Sequence, residues 1–130
     1  MRKLLLSFLI ALIISSAAPA QGKVHSITLN WNAAVQPTGV TTAGYKIFRE
    51  TSAGACTLSS TGTGPGCLLL NSTLVTGTTF TDTTGIGGTT YWYVVVTVDS
   101  NGFQSVYSNE VSAIFLVNPA APILNAPVSQ

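Results

Sequence analysis

Short runs in which apolar and polar residues alternate, each closed by a cluster of turn formers, recur over residues 26–114 and leave few folds open to this chain. Ile27, Leu29 and Trp31 alternate with Ser26, Thr28, Asn30 and Asn32, the period of an antiparallel strand with one face on a core. The same reading predicts strands over 45–50, with Tyr45 and Ile47 inward, over 68–70, 74–82 and 89–98, and over roughly 104–115. Pro37, Gly39 and Gly44 punctuate the first gap, Asp82, Thr83 and Thr84 open a turn, and Asp99-Ser100-Asn101-Gly102 predicts a hairpin with positive φ at its centre. No helical periodicity follows the first 20 residues, and no internal repeat is present. The expected fold class is all-β, an antiparallel β-sandwich.

The first 20 residues have a different composition. Met1-Arg2-Lys3 precedes an apolar run from Leu4 to Ile14, and Ala18-Pro19-Ala20 supplies small residues at a cleavage point, the pattern of a secretory signal peptide over 1–20. The run is short for a span of about 20 residues, so membrane contact is expected only before cleavage. The exported chain then begins at Gln21, with one domain over 21–117 and a tail over 118–130. Cys56 and Cys67 are the only cysteines, and behind an export signal they predict a disulfide around the turn-rich loop 57–66. A ring of this size adds about 3 kcal/mol in the chain-entropy model.

Charged residues make up 7% of the chain, and without the signal Lys23, Lys46 and Arg49 stand against Glu50, Asp82, Asp99 and Glu110. No basic patch remains for nucleic acid or anionic lipid. A surface whose polarity comes from Thr, Ser, Gly and Asn repels its own copies weakly, which suits self-association or a fixed place in an assembly. No catalytic set, metal site or cofactor is expected. His25, the only histidine, stands at a strand entrance and reads as solvated, and the carboxylates fall on separate elements. Asp99, Asn101 and Gly102 read as a turn rather than a calcium loop, since no later glutamate completes one. Asn71-Ser72-Thr73 is a glycosylation sequon.

From Leu70-Asn71 onward, Leu74-Val75, Gly77-Thr78-Thr79-Phe80-Thr81-Asp82-Thr83, Tyr91, Tyr93, Val95, Val98-Asp99, Gly102 and Ser108-Asn109-Glu110-Val111 fall in an order that resembles fibronectin type III domains, closest to bacterial secreted examples. The resemblance covers most of the exported chain and implies an immunoglobulin-like sandwich. Trp31, Tyr45, Tyr91 and Tyr93 would then be core residues, and Tyr91 the corner tyrosine whose hydroxyl returns to backbone beside the preceding turn. Three departures stand out. Gly85 occupies a position that is usually large and apolar, the loop between the two cysteines is an insertion, and the first strand of such a domain is short or missing. The last of these leaves an edge of the Trp31 strand open to strand addition.

If Tyr91, Tyr93, Val95 and Thr97 point inward, Trp92, Val94, Val96 and Val98 form the opposite face, joined by Lys46 and Phe48 and by Ile114. Phe48, Trp92, Val94, Val96 and Ile114 are therefore the expected binding surface, with Trp92 its largest anchor, and the alternative is that the cysteine loop or the apolar part of the tail folds over them. The expected function is that of a secreted, non-catalytic module working through protein contacts, with a protein partner or a second copy, at a cell surface, in a matrix or in a fibre. The alternative is a carbohydrate-binding or spacer module of an extracellular glycan-handling system, with Trp92 stacking on a sugar. Pro119, Pro122 and Pro127 make the tail extended, with Ile123, Leu124 and Val128 available to an open groove.

Overall fold

The computed structural model describes residues 25–57 and 66–128. The segment read as a signal peptide, residues 21–24, residues 58–65 of the cysteine loop and the last two residues of the tail lie outside the described residues. Over the described residues the chain is all-β and without helix: β1 (Ile27–Asn30), β2 (Thr42–Glu50), β3 (Cys67–Leu69), β4 (Thr79–Asp82), β5 (Thr90–Asp99) and β6 (Val111–Ile114). All pairings are antiparallel; β1 and β4 make one sheet, and the order β3-β2-β5-β6 makes the other.

Between the two sheets lies a core of Leu29, Tyr45, Ile47, Tyr91, Tyr93 and Phe115, with Trp31, Val75 and Phe80 packed against it. Side chains of β2 and β5 that alternate with these do not face water. Phe48, Val94 and Val96 form a second cluster with Cys67, closed by Cys56, Leu69 and Tyr107. The four-stranded sheet is thus buried on both faces, which is why β5 reads as the nearly unbroken apolar run Tyr91 to Val98. The expected binding stripe is corrected accordingly: Phe48, Val94 and Val96 are 2%, 5% and 3% exposed and belong to a core.

Part of the cover is the disulfide itself. Cys56 and Cys67 are bonded, with their Cα atoms 5.0 Å apart, and Cys67 opens β3 opposite Glu50. Tyr107 clamps the layer from the other side; its ring meets Phe48 edge-on at 5.5 Å, and its hydroxyl donates to the Thr57 carbonyl at 2.9 Å. Glu50 is 1% exposed in this layer, and its Oε2 has no hydrogen-bond partner.

Two strands are shorter than the sequence pattern suggests. The run expected over 74–82 keeps only Thr79–Asp82 as β4, while Val75 crosses to Tyr45 in a single bridge. The last strand, expected over 104–115, is regular only at Val111–Ile114. Upstream of it Ser105 and Ser108 intervene. Each backbone N–H bonds to the carbonyl of Thr97 or Val95, and each hydroxyl accepts from the N–H of the same residue, at 3.0 and 2.9 Å. A hydroxyl in the place of a carbonyl satisfies β5 without holding the neighbouring chain in ladder geometry.

The hairpin turn also differs from expectation. Only Gly102 has positive φ, at 87°; Asn101 does not. The Asp99 carboxylate organises the loop, accepting from the N–H groups of Asn101 and Phe103 at 2.9 and 2.8 Å, so its Oδ1 is already engaged by backbone.

Asn71 is 9% exposed and acts as a piece of strand. Its Oδ1 accepts from the Ile47 N–H at 2.7 Å, and its Nδ2 donates to the carbonyls of Tyr45 and Thr73 at 2.9 and 2.8 Å. The nitrogen that would carry a glycan is therefore committed to two internal bonds. Asn71→Ala strands buried backbone groups of β2, and a loss of about 2–3 kcal/mol is the expected result in denaturant unfolding.

Beside the turn after β4, Gly85 lies where any Cβ would collide with the Phe115 ring. Phe115, 2% exposed, fills from the last strand the space that a large residue at position 85 would otherwise take, while Ile86 is 70% exposed. The Ile86 N–H donates to the Tyr91 hydroxyl at 3.2 Å, and Tyr91 meets Phe115 edge-on at 5.8 Å.

One polar cluster ties the sheets together at this end. Arg49 Nη1 donates to Asp82 Oδ2 at 2.8 Å and to the Thr84 hydroxyl at 2.9 Å, with its guanidinium 4.5 Å from the Tyr91 ring centroid. Thr84 donates to Asp82 Oδ1 through both N–H and hydroxyl, and the Tyr93 hydroxyl donates to Oδ2 at 3.0 Å. Burial pushes the Asp82 carboxyl up, but the Thr84 bonds and the Arg49 guanidinium outweigh it and hold the group below its ordinary value of 3.8. Burial, then the Asp82 charge, push the Tyr93 phenol up, so it stays a donor across the neutral range.

Candidate contact surface

The pairing registers place the two ends of the sandwich. Ile27 sits opposite Asp82, and Thr90 opposite Ile114, so the entry to β1, the turn after β4 and the exit from β6 share one pole. At the other pole lie the loop from Trp31 to Thr41 and the turn between Asp99 and Gln104, joined by a Ser100 N–H bond to the Thr41 carbonyl at 2.9 Å. Toward this second pole the sheets part, leaving a cleft of about 610 Å³.

Its walls follow from features already described. β1 pairs only with β4 among the described residues, and no strand runs along its other side. Ser105 to Val111, released from regular pairing by the two serine hydroxyls, forms the facing wall. The floor is the inner face of the four-stranded sheet, Tyr45, Tyr93, Val95 and Thr97. Trp31 is half-buried along it, 5.3 Å from the Tyr45 ring in edge-on contact, and its Nε1 has no partner. A cleft of this size with an aromatic floor is large enough for a peptide segment or a small ligand.

Around the same pole Val35, Phe103 and Val106 are 99%, 74% and 69% exposed. The sequence reading did not select them. Val35 sits in a loop, where apolar exposure has no periodicity, and Phe103 follows a turn whose only evident message was the hairpin. A signal existed in Ala33-Ala34-Val35, an apolar run between polar residues with no strand to serve.

The other expected site residues lie elsewhere. Trp92 is half-buried at the margin of the disulfide-capped layer, opposite Glu50 and Ser112. Ile114 is 54% exposed on β6, an outer strand of its sheet, with Val111 at 48%. Trp31, Tyr45, Tyr91 and Tyr93 all contribute to the inter-sheet core. His25, read as solvated, is half-buried with an enclosed Nε2. No helix of the described residues is long and apolar enough to cross a membrane. The chain matched no protein-family model and no curated protein.

Proposed function

We propose that this chain is an exported, non-catalytic module of the fibronectin type III kind that works through protein contacts, as a component of a cell surface, matrix or fibre. The observation that carries the reading is the apolar pole, where Val35 and Val106 stand exposed at a cleft floored by aromatic rings and Phe103 stands exposed beside a smaller depression at the Asp99 turn. Large exposed apolar side chains gathered in one place favour a partner surface over open water. The resemblance in kind is supported by the facing orders β1-β4 and β3-β2-β5-β6 and by the Tyr91 hydroxyl beside the turn at Ile86. Export is supported by the disulfide and by the charged and apolar composition of residues 1–20.

The test is sedimentation velocity of the oxidised protein over a hundredfold concentration range, alongside a Val35→Lys, Phe103→Lys double variant. Both residues are exposed, so the variant should keep the wild-type unfolding transition while self-association falls at least tenfold. A protein that stays monomeric and is retained on a glycan resin would favour the alternative, a carbohydrate-binding module, in which Trp31 or Trp92 stacks on a sugar ring.

A further inference from the structure

Among the described residues β1 carries a strand on one side only. The Trp31 N–H bonds to the Thr78 carbonyl at 3.1 Å, so alternation points the backbone groups of Leu29 and Ile27 toward β4 as well, and those of Thr28 and Asn30 toward the open side. Below that edge lies the cleft. The chain also carries a segment suited to both. Residues 118–128 have no regular structure, and Ile123, Leu124 and Val128 are 89%, 96% and 94% exposed. Prolines at 119, 122 and 127 forbid a long ladder, but between them Ile123-Leu124-Asn125-Ala126 is a proline-free run of four residues, the length of β1.

We infer that the Ile123-to-Ala126 run of one copy adds as a short strand to the open edge of β1 in a second copy, lodging an apolar side chain in the cleft. This deepens the protein-contact reading by naming the partner as the chain itself. The occupant is a second copy because of the polarity of the sandwich. The tail leaves from the pole of the turn after β4, where Gly88 donates to the Phe115 carbonyl at 2.7 Å, whereas the cleft opens toward the opposite pole. Folding back on its own molecule, the tail would run parallel to β1; arriving from another copy it can run antiparallel, the better-paired arrangement. Nor does the tail occupy its own cleft, since Leu124 is 96% exposed. The contact is head-to-tail and generates an open filament rather than a closed dimer.

Two chain variants and two peptides test this. Truncation after Val117 keeps Phe115 in the core, and Leu124→Asp lies in a fully exposed segment, so both should unfold as wild type does. In sedimentation, both are expected to weaken concentration-dependent association at least tenfold. A synthetic peptide of residues 118–128, added to the truncated protein in a Trp92→Phe background, should shift the emission of Trp31, and the Leu124→Asp peptide should not. If the truncated chain associates like the full chain, the tail is not the occupant, although association through Val35 and Phe103 would still stand. If the full chain is monomeric at every concentration while the truncated chain binds the peptide, the tail acts within its own molecule and the second-copy assignment is overturned.

Discussion

Replacing Cys56 and Cys67 by serine is expected to cost about 3 kcal/mol of stability. For a domain of this size that lowers the thermal midpoint by roughly 15 °C. The entropy of the ring is only part of the reason, because Cys56 and Cys67 also roof Phe48, Val94 and Val96. A loosened roof exposes that apolar layer, so the serine variant should bind a hydrophobic dye at temperatures where the oxidised protein does not. Thermal unfolding followed by circular dichroism measures the first effect and dye fluorescence the second. A serine variant within about 1 kcal/mol of wild type, with no dye uptake, would mean that Tyr107 and the strand pairings hold the layer without the bond.

Asp82→Ala should be at least as costly, about 3–5 kcal/mol, because it leaves the Arg49 guanidinium and the Tyr93 hydroxyl without their acceptor in a nearly closed space. The side chains of Arg49 and Asp82 are 11% and 1% exposed, so water replaces little of what is lost. The same group sets an acid limit. Its folded-state value lies below 3.8, so its contribution is complete above that pH and falls as the pH drops from 3.8 toward the folded value. Wild-type stability should therefore decline on acidification below about pH 4, and an Asp82→Asn variant, already weaker at neutral pH, should decline less over the same interval. Parallel pH profiles for the two proteins would remove Asp82 from the account of acid unfolding.

The strands were legible where one face met a core and the other met water. β1 is the clearest case, with Ile27, Leu29 and Trp31 inward and Thr28 and Asn30 exposed. The same rule misled at β5. Alternation there was read into a strand whose two faces are both buried, and period two cannot distinguish a face under a loop from a face open to partners. Part of what covers Phe48 and Val94 depends on Tyr107 reaching back to Thr57 across 50 residues, and no local pattern encodes that. The cysteine pair was readable as a bond, and its loop as one of two candidates, with the tail, to cover the stripe. The cleft was half readable, since an open edge beside the Trp31 strand was expected and β1 pairs only with β4 among the described residues. Its other wall depended on Ser105 and Ser108 turning their hydroxyls to β5, which serines in a strand-like stretch do not announce. Asn71 was read as a sequon, and its use as a strand substitute appears only once Tyr45 and Ile47 stand beside it.

The shared pole of entry and exit has a mechanical consequence. With β1 entered beside Asp82 and β6 left beside Thr90, tension on the two flanks of the domain pulls at one end of each outer strand. Load would reach the four residue pairs of β1 with β4 one after another, as a zipper opens, rather than all together in shear. The Arg49–Asp82 bridge ties β2 to β4 at the pulled pole, and the cleft with its apolar rim lies toward the opposite one. Stretched by its flanks, the domain would yield at low force and keep its far end presented to whatever it touches.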